Sequence, residues 1–166
     1  MNDKWILILG ANSDIAKATA KRFTKDGYSL FLASRNLNEL NYNASNLEIL
    51  YGVKVIVLYF DAIDYKSHLN FYRSLSQNPV GVIFSIGLMG KQVVEQENFN
   101  LAKLAIDTNY VAAVSILEIV ASDFEKRKYG FIVGISSVAG DRGRKSNYIY
   151  GSSKAGLSAY LEGLRN

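Results

Sequence analysis

Trp5-Ile6-Leu7-Ile8-Leu9-Gly10-Ala11-Asn12-Ser13-Asp14-Ile15-Ala16 decides the fold of this chain. Five apolar residues in unbroken succession read as a strand buried on both faces, the pattern of a parallel sheet covered by helices. Gly10 allows a tight turn, and helical spacing then runs from Ile15 to Asp26 (Ile15, Ala16, Thr19, Ala20, Phe23), with Gly27 as its stop. Free amides at such a helix start can hold a pyrophosphate. An ordinary turn explains the same residues equally well, with Ser13 as N-cap and Asp14 complementing the helix dipole, because only one glycine is present.

The alternation continues to the last residue. Further strands are predicted at Ser29–Ser34, Val53–Phe60, Val80–Ile86 and Phe131–Ser137. Helices are predicted over Leu37–Leu50 (closed by Gly52), over Tyr65–Leu75, from Asn98 to Arg127 in two segments meeting near Asn109, and over Tyr148–Asn166. Gly87–Glu97 and Gly140–Asn147 read as loops, and His68 is expected on a helix surface. Near-continuous apolar strands separated by amphipathic helices imply an α/β fold of three αβα layers. The expected architecture is a doubly wound, Rossmann-like parallel sheet of strand order 3-2-1-4-5, with residues 1–166 as one dinucleotide-binding domain. Ligands of such sheets lie beyond the carboxyl ends of the strands, where Asn12, Arg35, Asp61, Gly87 and Ser137 are found.

Composition narrows the classes. A chain of 166 residues, 49% hydrophobic and 20% charged, is expected to fold as one domain with a sizeable core. Lysine and arginine number 19 against 15 acids, a net charge of +4 without a dense basic block. That surface tolerates anionic ligands and carries no nucleic-acid footprint. Cysteine is absent, which removes disulfides and thiolate metal sites and fits a cytoplasmic protein. His68 is the one histidine, so no metal site is expected. The first residues lead directly into a strand pattern, with neither a basic n-region nor a long apolar run, so no signal peptide or transmembrane segment is expected.

Several short stretches carry chemistry. Ser34-Arg35-Asn36 ends the second strand. An acid there would bind both hydroxyls of an adenosine ribose; serine followed by arginine suits a 2′-phosphate instead, favouring NADP(H) with NAD(H) as the alternative. Asp61 can accept from an adenine amino group or cap a helix, and Ser85-Ile86-Gly87 lets backbone approach a cofactor ribose or simply turns. Asn109 lies in an apolar helical run and needs partners; it can kink the helix and order a water near Lys154. Ser136-Ser137-Val138-Ala139-Gly140 precedes Tyr150-Gly151-Ser152-Ser153-Lys154. Tyr150 and Lys154, four residues apart, share a helix face. A phenol is a poor acid near neutrality, and an ammonium beside it stabilises the phenolate, which suits proton transfer. Tyr148 lacks such a partner, since Ser152 stands four residues on. Tyr-x-x-x-Lys alone is common by chance; the whole ordered set is not.

Taken together, these residues resemble the short-chain dehydrogenase/reductase family from Trp5 onward, most specifically over Gly134–Gly156. The resemblance implies that Ser137, rather than Ser136, is the catalytic serine, and that Asn109 is a fourth catalytic residue beside Tyr150 and Lys154. It implies a cofactor held by Gly10, Asn12, Ser13, Asp14, Ile15, Ser34, Arg35, Asp61, Ala62, Ser85, Ile86 and Gly87 together with Tyr150 and Lys154. It also implies a small carbonyl or alcohol substrate and a homo-oligomer formed through the helices after strands four and five. Asp14 and Ala16 stand where the family has glycine, and Ser85-Ile86-Gly87 where it has Asn-Ala-Gly, so Asp14 must turn away from a pyrophosphate. These departures, with Ala139–Arg144, are similar to a subgroup of bacterial polysaccharide and glycolipid synthesis that includes decaprenylphosphoryl-2-keto-ribose reductase; it implies a keto-sugar, or a lipid-linked keto-sugar, as substrate. The family continues past its Tyr/Lys helix with two strands and a substrate loop, so that C-terminal region is expected to be absent and the fifth strand to keep an open apolar edge. Two other readings stay open: a non-catalytic NADP(H)-binding regulator or scaffold of the same fold, and an NAD-dependent sugar-nucleotide epimerase or dehydratase, which Ser34-Arg35 disfavours.

Overall fold

Trp5–Leu9 forms strand β1 and is buried along its whole length. In the computed structural model, which describes residues 4–166, β1 is the central strand of a five-stranded sheet. The others are β2 (Ser29–Ser34), β3 (Val55–Tyr59), β4 (Gly81–Phe84) and β5 (Phe131–Gly134). All pairings are parallel and the order is β3-β2-β1-β4-β5, the topology that the alternation of strands and helices predicts. Ile6 pairs with Leu30 on one side and with Gly81 on the other, so the chain reverses its winding direction at β1. A crevice opens at such a switch point, beyond the carboxyl ends of the strands.

The helices are α1 (Asp14–Lys25), α2 (Leu37–Tyr51), α3 (His68–Arg73), α4 (Gln92–Glu95), α5 (Phe99–Ile106), α6 (Ala112–Arg127) and α7 (Tyr148–Arg165). Ser13 caps α1 through its Oγ, which accepts the Ala16 N–H at 3.1 Å. Alternation along the strands feeds two cores. Ile6, Ile8, Leu30 and Leu32 pack against Ala16 and Ala20 of α1 and Leu40 and Ala44 of α2. Leu7, Leu9, Phe31 and Phe84 pack against Ala112, Ala113, Ile116, Leu117 and Val120 of α6 and Leu157 of α7. Each fully buried Leu or Ile contributes about 1.5–3 kcal/mol. The helical run from Phe99 to Arg127 is long and apolar enough to cross a membrane by length and composition, but here its α6 part fills one layer of the core.

Several predicted boundaries shift. β3, β4 and β5 stop short of Phe60, Ile86 and Ser137, although the Ile135 N–H still bonds the Phe84 carbonyl at 2.8 Å. The predicted helix Tyr65–Leu75 contracts to α3, because Asp61–Ser67 closes as turns through Asp64 N–H to Asp61 O and Ser67 N–H to Asp64 O. The predicted loop Gly87–Glu97 contains α4, and a 3₁₀ turn covers Val138–Gly140. α5 and α6 are continuous through a π-helical turn, Asp107–Val111, which bears Asn109. His68, expected on a surface, is fully buried instead: its ring stacks on Phe60 and its two nitrogens bond Ser115 Oγ and the Asp61 carbonyl. Along the outer edge of β5, which has no strand partner among the described residues, Phe131 and Val133 are 38% and 41% exposed.

Candidate active site

A cleft of about 350 Å³ runs across the carboxyl ends of the strands. The turn after β1 contributes Gly10, Asn12 and Ser13; β2 ends in Ser34 and Arg35; the segment after β3 gives Phe60, Asp61, Ala62 and Ile63; β4 leads into Ser85, Ile86, Gly87 and Leu88. Leu104 and Thr108 close it from the far side. A second hollow of about 210 Å³ shares Ser13, Ser85, Ile86 and Gly87 with the first and adds Ile15, Met89, Ile135, Ser136, Tyr150 and Lys154.

The first end is built to admit a close-fitting ligand. Gly10 has φ +80°, and a methyl group placed on it would lie 2.8 Å from the Ser85 carbonyl oxygen and 2.8 Å from Ile86 Cγ1. The turn therefore needs glycine for both conformation and space. Ser13 Oγ and Ser85 Oγ share a hydrogen bond of 2.8 Å, which ties the start of α1 to the end of β4. Asn12 Nδ2 donates to Ser34 Oγ at 3.1 Å and to the Asn36 carbonyl at 3.0 Å, while its Oδ1 is buried without a partner among the described residues. A buried acceptor left over in a cleft wall suits a ligand hydroxyl or a water. The α1 N-terminus supplies amide donors. Asp14 is exposed and outside the walls, so the structure does not bring it into the expected binding set. Asp61 lines the cleft but caps no helix: its Oδ1 accepts the Ile63 N–H at 3.2 Å within a turn, and the N-cap of α3 is Ser67.

At the second end, α7 carries Tyr150 and Lys154 on one face, with Lys154 Nζ 5.9 Å from the centre of the Tyr150 ring. Lys154 is 3% exposed. Its ammonium donates to the carbonyls of Ile135 at 3.0 Å and Ile86 at 3.3 Å. Burial holds the Lys154 pKa below the ordinary lysine value. A methyl group on Gly87 would lie 3.4 Å from Lys154 Nζ and 3.8 Å from Asn109 Oδ1, so both groups border Gly87. Asn109 is fully buried. Its Oδ1 accepts the Leu88 N–H at 2.6 Å, and its Nδ2 donates to the Leu88 carbonyl at 2.8 Å and to Ser153 Oγ at 3.0 Å. The polar residue in the apolar helix thus finds its partners in the segment after β4 and in α7.

The two serines separate in role. Ser136 Oγ donates to the Lys154 carbonyl at 3.1 Å and lies 2.6 Å from Ser158 Oγ, fastening the end of β5 to α7. Ser137 Oγ accepts the Ala139 N–H at 3.2 Å as the cap of the 3₁₀ turn and is not among the residues lining the hollow. Tyr148 donates to Gln96 Oε1 at 3.4 Å, apart from Lys154. Arg142, Arg144 and Lys145 are exposed on the loop before α7. The wall residues Phe60, Ile63, Leu88, Leu104 and Thr108 carry no motif in the sequence. Gln92 was also hidden: its Oε1 accepts the Ile149 N–H at 3.1 Å, and so caps a helix whose own N-cap, Asn147, makes no side-chain cap bond.

A family model described as short chain dehydrogenase matches residues 4–166. An uncharacterized oxidoreductase of Mycobacterium tuberculosis (strain ATCC 25618 / H37Rv) is 35% identical over 162 residues, covering 96% of this chain and 65% of that protein. An NADP-dependent 3-hydroxy acid dehydrogenase of Schizosaccharomyces pombe is 31% identical over 170 residues, covering 99% of this chain and 66% of that protein. Among solved structures, a short-chain dehydrogenase from Sphingobium yanoikuyae in complex with NADPH superposes with a TM-score of 0.88 at 29% identity, covering 98% of this chain and 64% of that one. A bulky-bulky ketone specific alcohol dehydrogenase from Comamonas testosteroni gives 0.90 at 26% identity, covering 99% and 67%. The chain spans just under two thirds of the length of the curated relatives it matches.

Proposed function

This chain belongs to the short-chain dehydrogenase family, and we propose that it is an NADP(H)-dependent oxidoreductase that reduces a ketone to an alcohol. One observation carries the reading: a glycine-turn cleft and a hollow lined by a phenol and a buried ammonium share the wall Ser13, Ser85, Ile86 and Gly87. Gly10, Asn12, Ser13 and Ile15 would hold the pyrophosphate side of the cofactor at the start of α1. Ser34 and Arg35 would receive a 2′-phosphate, Asp61 and Ala62 the adenine, and Ser85, Ile86 and Gly87 the nicotinamide ribose. The NADPH complex of the Sphingobium relative and the NADP dependence in the name of the yeast relative support this choice over NAD(H).

When bound, the cofactor supplies the hydride. Tyr150 gives its hydroxyl proton to the carbonyl oxygen as general acid. Lys154 balances the phenolate charge left on Tyr150. Ser137 donates a hydrogen bond to the same oxygen as negative charge develops on it. Asn109 holds Leu88 and Ser153, and its Oδ1 would accept from a water linking Lys154 to solvent. The substrate class we favour is a keto-sugar, including one carried on a lipid phosphate, with the exposed Arg142, Arg144 and Lys145 offering charge for that phosphate. We place the protein in the cytoplasm as a homo-oligomer paired through the helices after β4 and β5, the continuous α5–α6 and α7.

The test is Tyr150→Phe in the full protein, assayed by NADPH oxidation against a panel of keto-sugars. Reduction falls at least about a hundredfold, as expected on losing a general acid, while NADPH affinity stays within about twofold. Unchanged turnover removes the assignment of Tyr150. NADPH binding with no oxidation across the panel selects the non-catalytic binding protein, and a clear preference for NAD selects the epimerase or dehydratase.

A further inference from the structure

We infer that His68 is a positioning residue for the adenosine end of the cleft, a buried imidazole strut that sets the wall Phe60–Ile63 by fastening the Asp61 carbonyl to helix α6. The inference rests on the cofactor reading above and adds a residue that its motifs do not contain.

That wall needs outside support. It leaves the edge strand β3, which among the described residues is paired on its β2 side. The Phe60 N–H still bonds the Ser34 carbonyl at 3.2 Å, but beyond it the backbone bonds are local: Asp61 Oδ1 accepts the Ile63 N–H at 3.2 Å, and the Asp61 carbonyl accepts the Asp64 N–H at 3.3 Å. His68 supplies the support from behind. It is 0% exposed, and its ring stacks on the ring of Phe60 with centres 4.8 Å apart and planes 22° apart. Tyr65 closes the imidazole edge at 5.9 Å. His68 Nε2 lies 3.2 Å from the Asp61 carbonyl oxygen. A carbonyl can only accept, so Nε2 carries the proton. Nδ1 of the neutral ring then accepts the Ser115 hydroxyl at 2.9 Å. Burial lowers the His68 pKa and so favours this neutral tautomer. One side chain therefore contacts Phe60 and Asp61, both cleft-lining, and anchors them on α6.

A purely structural histidine and a positioning one make different predictions. Loss of the first lowers stability and leaves ligand affinity alone; loss of the second also weakens whatever rests on Phe60–Ile63. The experiment is calorimetric titration of the full chain with 2′,5′-ADP, the adenosine half of NADP, well below the melting temperature. His68→Phe keeps an aromatic ring on Phe60 and removes both hydrogen bonds. Ser115→Ala removes only the anchor on α6. Tyr72→Phe serves as control, because Tyr72 is on the same short helix but bonds Asp123 at 2.7 Å on the side away from the cleft.

His68→Phe is expected to weaken 2′,5′-ADP binding about three- to tenfold, the span of one net hydrogen bond. Ser115→Ala weakens it about two- to threefold by the same scale, and Tyr72→Phe lowers the melting temperature without changing affinity. Parent-like affinity in folded His68→Phe, or equal weakening in Tyr72→Phe, overturns the inference. Should His68→Phe not fold, Ser115→Ala decides on the same comparison. A parent protein that does not bind 2′,5′-ADP overturns the cofactor reading together with this inference; a parent that binds while the variants match it overturns this inference alone.

Discussion

Gly151 lies on α7 between Tyr150 and Ser152, where the helix crosses the 3₁₀ turn beyond Ser137. A methyl group at this position would lie 2.6 Å from the Ala139 carbonyl oxygen, about 0.5–1 Å inside ordinary contact. Neither side yields freely: the obstacle is backbone, and Ser136 fastens the turn to α7 at Lys154 and Ser158. Gly151→Ala must therefore push Tyr150 away from the Ser137 turn by about that gap. Two stability terms oppose each other. Replacing a helical glycine gains about 1 kcal/mol, and overpacking costs about 1–3 kcal/mol. The net is a loss of about 0–2 kcal/mol, or a melting temperature lower by about 0–8 °C for a chain of this size. The effect on rate is larger, because misplacement by about 1 Å can cost about a hundredfold. The assay is NADPH oxidation by the full protein with a ketone substrate, paired with thermal melting. Gly163→Ala is the control: it is on the same helix with nothing within 4 Å of the new methyl, and should gain about 0.5–1 kcal/mol without losing activity. Gly151→Ala with turnover within twofold of the parent would refute the claim that Tyr150 and the Ser137 turn work as one geometry.

Three further outcomes are expected. Arg35→Ala weakens NADPH binding about tenfold or more, the value of a charge-assisted hydrogen bond, and leaves NADH binding within about twofold; equal loss for both removes Arg35 from a 2′-phosphate role. Asn109→Leu removes the two hydrogen bonds to the Leu88 N–H and carbonyl and the one to Ser153 Oγ, which keeps its bond to the Tyr150 carbonyl at 2.7 Å; the loss of three hydrogen bonds should destabilise the fold by about 3 kcal/mol, read by urea titration. His68 titrates below 6.5 when folded because burial outweighs its bond to the Asp61 carbonyl and the nearby Asp61 and Asp64 charges. The unfolded chain thus binds the proton more readily, so the His68 contribution is complete above about pH 6.5 and is lost as pH falls through the lowered folded value. Melting temperatures of the parent between pH 7 and pH 5 should fall more steeply than those of His68→Phe; parallel slopes contradict the assignment.

Legibility in the sequence depended on the source of each signal. β1 and β2 are found where the apolar runs Trp5–Leu9 and Ser29–Ser34 place them, because each run stops at a polar residue or glycine. β3, β4 and β5 were overrun for one shared reason. Phe60, Ile86 and Ile135 continue the apolar pattern past the last ladder pairs, but these side chains line the cleft or its neighbouring hollow. Hydropathy registers burial and does not distinguish a sheet from a ligand wall. The meeting of Tyr150, Lys154 and Asn109 at one end of the site is legible because Tyr150 and Lys154 are separated by one helical turn, and because Asn109 is conspicuous in an apolar helix. Leu104 and Thr108 reach the cleft, and Gln92 the start of α7, through tertiary packing, and nothing in their local sequence marks them. His68 was misplaced because its hydrogen-bond partners, Asp61 and Ser115, lie 7 and 47 residues away in the chain; helical periodicity contains no record of them.

The two ends of the cleft take their position from one helix. Asn109 and Ser115 are on the continuous run from α5 into α6, six residues and about 9 Å of rise apart. Asn109 fixes Leu88 and Ser153 at the end where Lys154 is buried. Ser115, through His68, fixes Asp61 at the end where Arg35 lies. The rotation of α6 is set independently, by Ala112, Ala113, Ile116, Leu117 and Val120 lying under the sheet. The π turn reconciles these demands: the Ala112 N–H bonds the Asp107 carbonyl five residues back, and the widened turn offsets α5 from α6. A regular α-helix would lack that one-residue offset, which corresponds to about 100° of rotation. Asn109 would then miss Leu88 and Ser153 while Ser115 still met His68. The irregular turn is thus the element that lets one helix brace both ends of the cleft.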